Sequence, residues 1–256
     1  NDMSVRGHTL VWHRQLPGWV TEGDWTREEL MTILETHIKT VVNHYEEEYP
    51  GRITKWDVVN EAINTNNGDD LRNSVWREVI GPEYVAMAFR WANEANPDAE
   101  LYYNDYGIAG GGSKSDAVYQ LVSDLANQGV PIDGVGFQSH LSTQGGVPSD
   151  QQLVDEMQRY QSLGLDVAIT ELDVRIPLGS DGEPSEDQLS QQADYYGRFL
   201  SNCLFVSNCS EFRTWGFTDA ESWIPNEFEG EGAALIFDEN YEPKPAYETL
   251  VETLQN

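Results

Sequence analysis

The sequence predicts an α/β fold of the (β/α)8 barrel family, in which parallel strands alternate with helices. Short apolar, β-branched segments recur along the chain, and segments with apolar residues at helical spacing follow them. Polar residues close several of the apolar segments, as at the C-terminal ends of barrel strands. Because no linker or low-complexity tract interrupts the 256 residues, we expect a single barrel domain spanning residues 1–256.

The elements follow one another at regular intervals. A strand from Met3 to Trp12 opens the chain, and a capping box at Thr26 and Glu29 begins a helix with one apolar face. The second strand runs from Ile53 to Glu61, and Pro97 ends the helix after it. Further strands are predicted at 101–106, 135–140, 165–172 and 212–218, and helices at 83–96, 113–127, 150–163, 187–204 and 245–254.

The number of units is smaller than the length suggests. A (β/α)8 barrel commonly takes ~250 residues, yet only about six strand–helix units are evident, because long loops fill the chain. We therefore expect an N-terminally short barrel that lacks the first two units. An open sheet would expose its edges, so either the chain is a partial product or its barrel is closed in another way, for example by a second copy.

Charge excludes two classes of partner. With 44 acidic and 15 basic residues the net charge is -29, which repels nucleic acid and anionic membranes. No run approaches the ~20 apolar residues of a membrane span. A neutral polymer would be unaffected by this charge. The acidic, lysine-poor composition fits either adaptation to high salt or an ordinary acidic secreted protein, and it leaves the oligomeric state open.

Two glutamates are candidate catalytic residues. The segment Trp56–Glu61 is a buried-strand pattern that ends in a carboxylate, and Leu165–Leu172 repeats this pattern with Glu171. Two strand-end carboxylates on one barrel rim can face each other, and a separation of about 5 to 5.5 Å is typical of retaining glycosidases. A single strand-end glutamate is more often a capping or surface group, but two of them favour catalysis.

The histidines do not form a metal-binding pattern. His8, His13 and His140 lack the helical spacing of metal ligands, and glycosidase chemistry needs no ion. We expect neither a metal nor another cofactor in the site, while structural calcium in the acidic loops stays open. Cys203 and Cys209 are close enough in sequence for a disulfide, although two free thiols are the alternative.

Collected in chain order, the strand ends carry a specific pattern. They read GHTLVWH at 7–13, WDVVNE at 56–61, YNDY at 103–106, QSH at 138–140 and TELD at 170–173, followed by Trp215, Gly216 and Trp223. This set resembles glycoside hydrolase family 10, the endo-β-1,4-xylanases, from the first residues to the last. The resemblance implies a secreted, extracellular enzyme that cleaves internal β-1,4 bonds of xylan and xylo-oligosaccharides by double displacement. Cys203 and Cys209 match a pair that many members carry as a disulfide.

The resemblance assigns roles on the matching positions. It implies that Glu61 is the acid/base and Glu171 the nucleophile, with His140 and Asp173 holding and charge-balancing the nucleophile. Asn60 resembles the donor to the sugar 2-hydroxyl. The walls nearest the cleavage point match His8, Trp12, Gln138, Trp215 and Trp223, and Tyr106 lies towards the leaving group. Polar residues that the family carries on its first two strands are absent here.

Two rival functions stay open on the sequence. A cellulase or β-glucosidase of the same barrel clan shares an Asn-Glu pair on one strand and a glutamate on a later one. A carbohydrate-binding protein that has lost turnover is the second rival, although both glutamates are present. Comparing activity on xylan with activity on carboxymethyl cellulose would distinguish a xylanase from the first rival. Binding of xylan without product release would support the second.

Overall fold

The computed structural model describes residues 3–64 and 71–255, which fall into two compact units. The first unit contains residues up to Asp105 together with Gly112–Gly136 and Ser162–Asp166. The second contains Tyr106–Gly111, Phe137–Gln161 and the residues from Val167 onward. The single domain expected over residues 1–256 remains a prediction. No helix in the described ranges is both long and apolar enough to cross a membrane.

The first unit alternates parallel strands with helices, as predicted. Its strands are β1 (Val5–Val11), β2 (Ile53–Asn60), β3 (Glu100–Asp105) and the greater part of β4 (Gly134–Phe137). Its helices are α1 (Gly18–Thr21), α2 (Arg27–Glu48), α3 (Tyr84–Ala95), α4 (Ser113–Asn127) and a π-helix (Trp76–Ile80). β2 pairs in parallel with both β1 and β3, which sets His8 opposite Asp57 and Asn60 opposite Asn104.

Helix α2 illustrates how the sequence directs this packing. The Thr26 side chain accepts a hydrogen bond from the Glu29 backbone, and the Glu29 carboxylate accepts one from the Thr26 backbone. This capping box satisfies two backbone donors that a helix N-terminus otherwise leaves open. The buried face carries apolar residues at helical spacing, namely Leu30, Leu34, Ile38 and Val42. The predicted capping box and apolar face are therefore both confirmed.

The second unit is built on β6 (Asp166–Pro177), of which all but the first residue belongs to this unit. The other elements are β5 (His140–Ser142), α5 (Asp150–Gln161), α6 (Glu186–Phe205), β7 (Cys209–Thr214), a 3-10 turn (Asp219–Glu221), α7 (Ile224–Glu227), β8 (Glu231–Gly232) and α8 (Pro245–Gln255). β6 pairs in parallel with β5 and β7 and antiparallel with β8. The β5 register sets His140 opposite Asp173.

A disulfide joins Cys203, near the end of α6, to Cys209, the first residue of β7. The pairing expected from the resemblance is therefore confirmed. Cys203 is buried, and the bond encloses a loop of only a few residues between the helix and the strand. The two-thiol alternative is wrong.

Three predicted strands have different bounds in the structure. The strand expected at 165–172 runs on to Pro177 as β6, so Glu171 lies inside the strand and not at the end that the sequence predicts. The strand expected at 135–140 breaks after Phe137, because Ser139 adopts a left-handed φ of 62° that interrupts a pleated ladder. The strand expected at 212–218 starts earlier and stops at Thr214, shortly before Gly216 with φ of 96°. The π-helix, α1, the 3-10 turn, α7 and β8 were not predicted.

Candidate active site

Glu61 sits in an unusual backbone conformation immediately after β2. Its φ is 56°, a left-handed value that costs a non-glycine residue of order 1 to 3 kcal/mol. Hydrogen bonds to neighbouring residues fix both its N–H and its carbonyl. The Glu61 N–H donates to the Asn104 carbonyl at 2.9 Å, and the Glu61 carbonyl accepts a 3.1 Å hydrogen bond from Arg72 Nε. The candidate acid/base is thus fixed by β3 on one side and by the Arg72 segment on the other.

The Glu61 carboxylate is close to two polar side chains. Asn60 donates from Nδ2 to Glu61 Oε1 at 3.3 Å, and His13 Nδ1 lies 3.9 Å from Oε2. Asn104 in turn donates from Nδ2 to Asn60 Oδ1 at 3.0 Å. The Glu61 side chain is 12% exposed, so it remains accessible to solvent at one end of this hydrogen-bonded chain.

His13 is a site residue that sequence reasoning did not single out. Burial of the ring, together with the positive charge of Arg72, lowers the pKa of His13 to about 4, although the nearby charge of Glu61 acts in the opposite direction. His13 is therefore a neutral imidazole at pH values well above 4. Its only sequence signal was its place directly after Trp12 at the end of the first strand.

A buried ion pair lies at the end of β3. Asp105 is fully buried and lies 2.7 Å from Lys114 Nζ, and Tyr103 donates its hydroxyl to Asp105 at 2.6 Å. Burial raises the pKa of Asp105, while the charge and hydrogen bond of Lys114 lower it. The Tyr103 oxygen also accepts the Ile63 N–H at 3.2 Å, which ties this pair to the segment that follows Glu61.

His8 and Trp12, both predicted as sugar-contacting residues, lie in the first unit. His8 Nδ1 is 2.9 Å from Asp57 Oδ2, and Arg6 donates to the other oxygen of that buried carboxylate at 2.7 Å. The half-buried ring of Trp12 follows β1, and Trp76 on the π-helix donates its indole N–H to the Trp12 carbonyl. His8 is therefore the central residue of β1, with its side chain held by Asp57 on β2, whereas Trp12 follows β1 and its main chain is held by the π-helix.

Glu171 lies in the middle of β6 and is contacted by His140. The residue is 4% exposed, and His140 Nε2 is 3.1 Å from Glu171 Oε2. Burial alone would lower the pKa of His140, but hydrogen bonds and charge from Asp173 and Glu171 outweigh it and raise the pKa to about 9. At neutral pH the ring is therefore an imidazolium, and both of its nitrogens are donors.

Asp173 completes this second cluster. It is fully buried, and its Oδ2 lies 2.9 Å from His140 Nδ1 and accepts the indole N–H of Trp223 at 2.8 Å. Trp223 also contacts the His140 ring edge-on, with centroids 5.1 Å apart, and Trp215 does so at 6.4 Å. The structure therefore brings together five predicted residues, namely His140, Glu171, Asp173, Trp215 and Trp223.

The remaining predicted residues are Gln138 and Tyr106. Gln138 is buried after β4, and its carbonyl accepts the Glu171 N–H at 3.1 Å. Tyr106 is half-buried and directly follows β3. Asn104 and Arg72, like His13, are site neighbours that the sequence did not identify, although Asn104 stood within one of the quoted strand-end motifs. Among the described residues, no group of three or more His, Cys, Asp or Glu side chains could hold a metal ion.

Comparison with known proteins identifies extensive similarity. The sequence profile of glycosyl hydrolase family 10 matches residues 1–253. Endo-1,4-beta-xylanase B of Thermotoga neapolitana is 47% identical over 255 residues, covering 100% of this chain and 70% of that protein. Endo-1,4-beta-xylanase 1 of Humicola insolens is 42% identical over 254 residues, covering 99% of this chain and 57% of that protein.

The fold is similar to that of a solved xylanase. The crystal structure of xylanase 10B from Thermotoga petrophila in complex with xylobiose superimposes with a TM-score of 0.92 at 48% identity. The match covers 99% of this chain and 74% of that chain. The two proteins therefore share much of their sequence as well as their fold.

Proposed function

This chain belongs to glycosyl hydrolase family 10 and is an endo-1,4-β-xylanase, and we propose that it cleaves internal β-1,4-xylosidic bonds with retention of configuration. The observation that supports this most directly is the Glu171–His140–Asp173 arrangement, in which a half-buried imidazolium lies between two carboxylates. A carboxylate held in this way is suited to covalent attack on an anomeric carbon. Xylan and xylo-oligosaccharides are the proposed partners.

In the first step, Glu171 acts as the nucleophile. Its carboxylate forms a bond to the anomeric carbon while the bond from that carbon to the glycosidic oxygen breaks, giving a covalent glycosyl-enzyme. His140 donates to Glu171 Oε2 and fixes the carboxylate, and Asp173 balances the charge of the ring. The leaving oxygen takes a proton from Glu61, which acts as the general acid.

In the second step, Glu61 acts as the general base. It takes a proton from water, whose oxygen attacks the anomeric carbon and releases Glu171, so two inversions give net retention. The Asn60 amide, which donates to Glu61 Oε1, is the proposed donor to the sugar 2-hydroxyl. Such a contact strengthens as the oxocarbenium-like transition state forms.

Aromatic and polar side chains make up the proposed sugar-binding surface. Flat indole faces suit the apolar faces of pyranose rings, and a hydrogen-bonding rim sets their orientation. Trp215 is 36% exposed and is therefore available for such stacking. We assign the sugar contacts nearest the cleavage point to His8, Trp12, Gln138, Trp215 and Trp223, and we place Tyr106 towards the leaving group.

The stereochemistry of the fresh product tests the mechanism. We would mix the 256-residue chain with xylopentaose and follow the anomeric proton signals by NMR before mutarotation. β-Anomers appearing first are the expected result. α-Anomers appearing first would mean inversion and would overturn the two-glutamate mechanism. Binding without product release by the folded protein would overturn the proposal in favour of a binding protein.

Substitution of each glutamate tests the division of roles. Glu171→Ala should abolish turnover and leave the fold intact. Glu61→Ala should impair xylan hydrolysis severely and spare the first step on activated aryl xylosides, whose leaving groups need no acid. Glu47→Ala, on the exposed face of α2, is the matched control and should leave activity unchanged. Equal damage by Glu61→Ala to both substrates would show that the roles are wrongly assigned.

Substrate choice and location complete the proposal. Activity on xylan should exceed activity on carboxymethyl cellulose, and the reverse preference would favour a cellulase of the same clan. We also propose that the protein is secreted, because the Cys203–Cys209 disulfide suits an oxidising compartment. Thiol trapping of the natively produced protein checks this, since a reduced pair would argue against secretion.

A further inference from the structure

We propose that Asn104 is a positioning residue for the reaction, which fixes the amide of Asn60 so that its NH2 group faces Glu61 and the sugar. This inference rests on the roles proposed above for Asn60 and Glu61. It concerns the chain Asn104–Asn60–Glu61, in which only the last two residues belong to the predicted site.

The register between β2 and β3 creates this chain. Asn60 is the last residue of β2 and is paired in parallel with Asn104 on β3. Partners in such a register present their side chains on the same face of the sheet. Asn104 is fully buried and Asn60 is 3% exposed, so the contact between them is shielded from water.

The hydrogen bonds determine which way the Asn60 amide points. Asn104 Nδ2 donates to Asn60 Oδ1 at 3.0 Å, and Asn60 Nδ2 donates to Glu61 Oε1 at 3.3 Å. If the Asn60 amide were flipped, its NH2 would meet the Asn104 NH2, and its oxygen would meet the Glu61 carboxylate. Both contacts would be repulsive. The donor on Asn104 therefore selects the orientation that presents a donor to Glu61.

The main chain of Asn104 also contacts Glu61 directly. Its carbonyl accepts the N–H of Glu61, which has a left-handed φ of 56°. A side-chain substitution at Asn104 leaves this backbone contact available. Mutation therefore separates the amide-orienting role from the support of the Glu61 backbone.

A double-mutant cycle between Asn60 and Asn104 tests the proposal. We would measure kcat/KM on an aryl β-xylobioside and on its 2-deoxy analogue for Asn104→Ala, Asn104→Asp, Asn60→Ala and both double variants. Asn104→Asp keeps the shape but replaces the donor with an acceptor, so it should flip the Asn60 amide. Each Asn104 variant should lower kcat/KM about tenfold on the 2-hydroxy substrate, less on the 2-deoxy substrate, and little further in the Asn60→Ala background.

Asn208 provides the matched control. It is buried in the second unit, and its Nδ2 donates to the Met157 carbonyl at 3.1 Å. Asn208→Ala should lower the melting temperature and leave kcat/KM unchanged. If Asn104→Ala does not fold, the isosteric Asn104→Asp supplies the measurement.

The outcomes separate this inference from the proposed function. If Asn60→Ala lowers kcat/KM but the Asn104 effects add to it in full, Asn104 does not act through Asn60 and the inference is overturned alone. If Asn60→Ala has no effect on the 2-hydroxy substrate, the role proposed for Asn60 fails and the inference fails with it. Unchanged activity in Asn104→Asp would also overturn the inference, because a merely space-filling role predicts that result.

Discussion

Trp223 donates its indole N–H to Oδ2 of Asp173 at 2.8 Å. The same oxygen lies 2.9 Å from Nδ1 of His140, whose other nitrogen contacts Glu171. One buried carboxylate oxygen therefore orients both an aromatic side chain of the proposed sugar surface and the imidazolium beside the proposed nucleophile. A change at Asp173 should consequently alter protonation of His140 and the position of the Trp223 ring together.

Asp173→Asn should lower the pKa of His140. Burial already disfavours the charged ring, and the hydrogen bonds and charges of Asp173 and Glu171 are what raise its pKa to about 9. Because the pKa of His140 is raised in the folded state, the stabilisation that the imidazolium gives the fold is fully present below about pH 6.5. It is lost as the pH rises through 9. In Asp173→Asn, the loss of this stabilisation and the alkaline fall in kcat should both begin at lower pH. NMR titration of the His140 ring would measure the change in its pKa directly.

Asp150→Asn is the control for that experiment. Asp150 pairs with Arg198 in the same unit, but the carboxylate is well exposed. Its replacement removes one negative charge without touching the cluster, so the titration of His140 should stay in place. A shift of equal size in both variants would mean that overall charge, and not the Asp173 contact, sets the pKa of His140.

Acid should destabilise the protein through His13. The folded-state pKa of His13 is about 4, below the ordinary value near 6.5, because of burial and the charge of Arg72. Between these two values the unfolded chain binds the proton more tightly, so the free energy of unfolding falls as the pH drops from 6.5 towards 4. His13→Gln should flatten this dependence, as measured by urea unfolding at several pH values. Identical slopes in the two proteins would contradict the prediction.

Removing the disulfide should weaken the fold and leave the chemistry intact. The Cys203–Cys209 bond joins α6 to β7, away from the Glu61 and Glu171 clusters along the chain. In the chain-entropy model, a loop of this size contributes roughly 2 kcal/mol. The Cys203→Ala/Cys209→Ser protein should therefore unfold at lower urea concentration, with kcat/KM unchanged at temperatures where it is folded. A loss of activity in the folded variant would show that the loop also supports the site.

The sequence predicts the elements of this site better than their contacts. Glu61 and Glu171 could be selected because each follows or ends a short apolar strand pattern, and alternation of strands and helices predicts a parallel sheet. The left-handed backbone of Glu61 and Ser139 could not be predicted, since this conformation usually signals glycine or asparagine. These two residues decide where their strands end.

The sequence also could not predict which residues of distant segments contact one another. Asn60 and Asn104 are 44 residues apart, and their contact depends on which residues of β2 and β3 are paired. The hydrogen bond from Arg72 to the Glu61 carbonyl joins residues 11 positions apart and is likewise a tertiary contact. The same applies to His13, whose distance from Glu61 is a tertiary property. Sequence patterns identify strand-end residues, whereas their hydrogen-bonding partners depend on packing.

The buried pair Lys244 and Asp219 should be a strong determinant of stability. Their charged groups are 2.9 Å apart and both side chains are 8% exposed, and burial lowers the pKa of Lys244 and raises that of Asp219. Lys244→Met leaves a buried carboxylate unpaired, so we expect the free energy of unfolding to fall by about 3 to 5 kcal/mol. Urea unfolding would measure this loss, which should shrink as the pH falls and Asp219 takes up a proton.

The double variant decides whether the charge itself causes that loss. Asp219→Asn in the Lys244→Met background removes the uncompensated charge and keeps an oxygen that can accept the Leu235 N–H, so it should recover much of the stability. Glu83→Gln, which removes the charge of an exposed pair with Arg27 and leaves the Arg27 hydrogen bond to the Ile80 carbonyl in place, should cost no more than about 1 kcal/mol. If the double variant is less stable than Lys244→Met, lost side-chain packing and not an unpaired charge accounts for the effect.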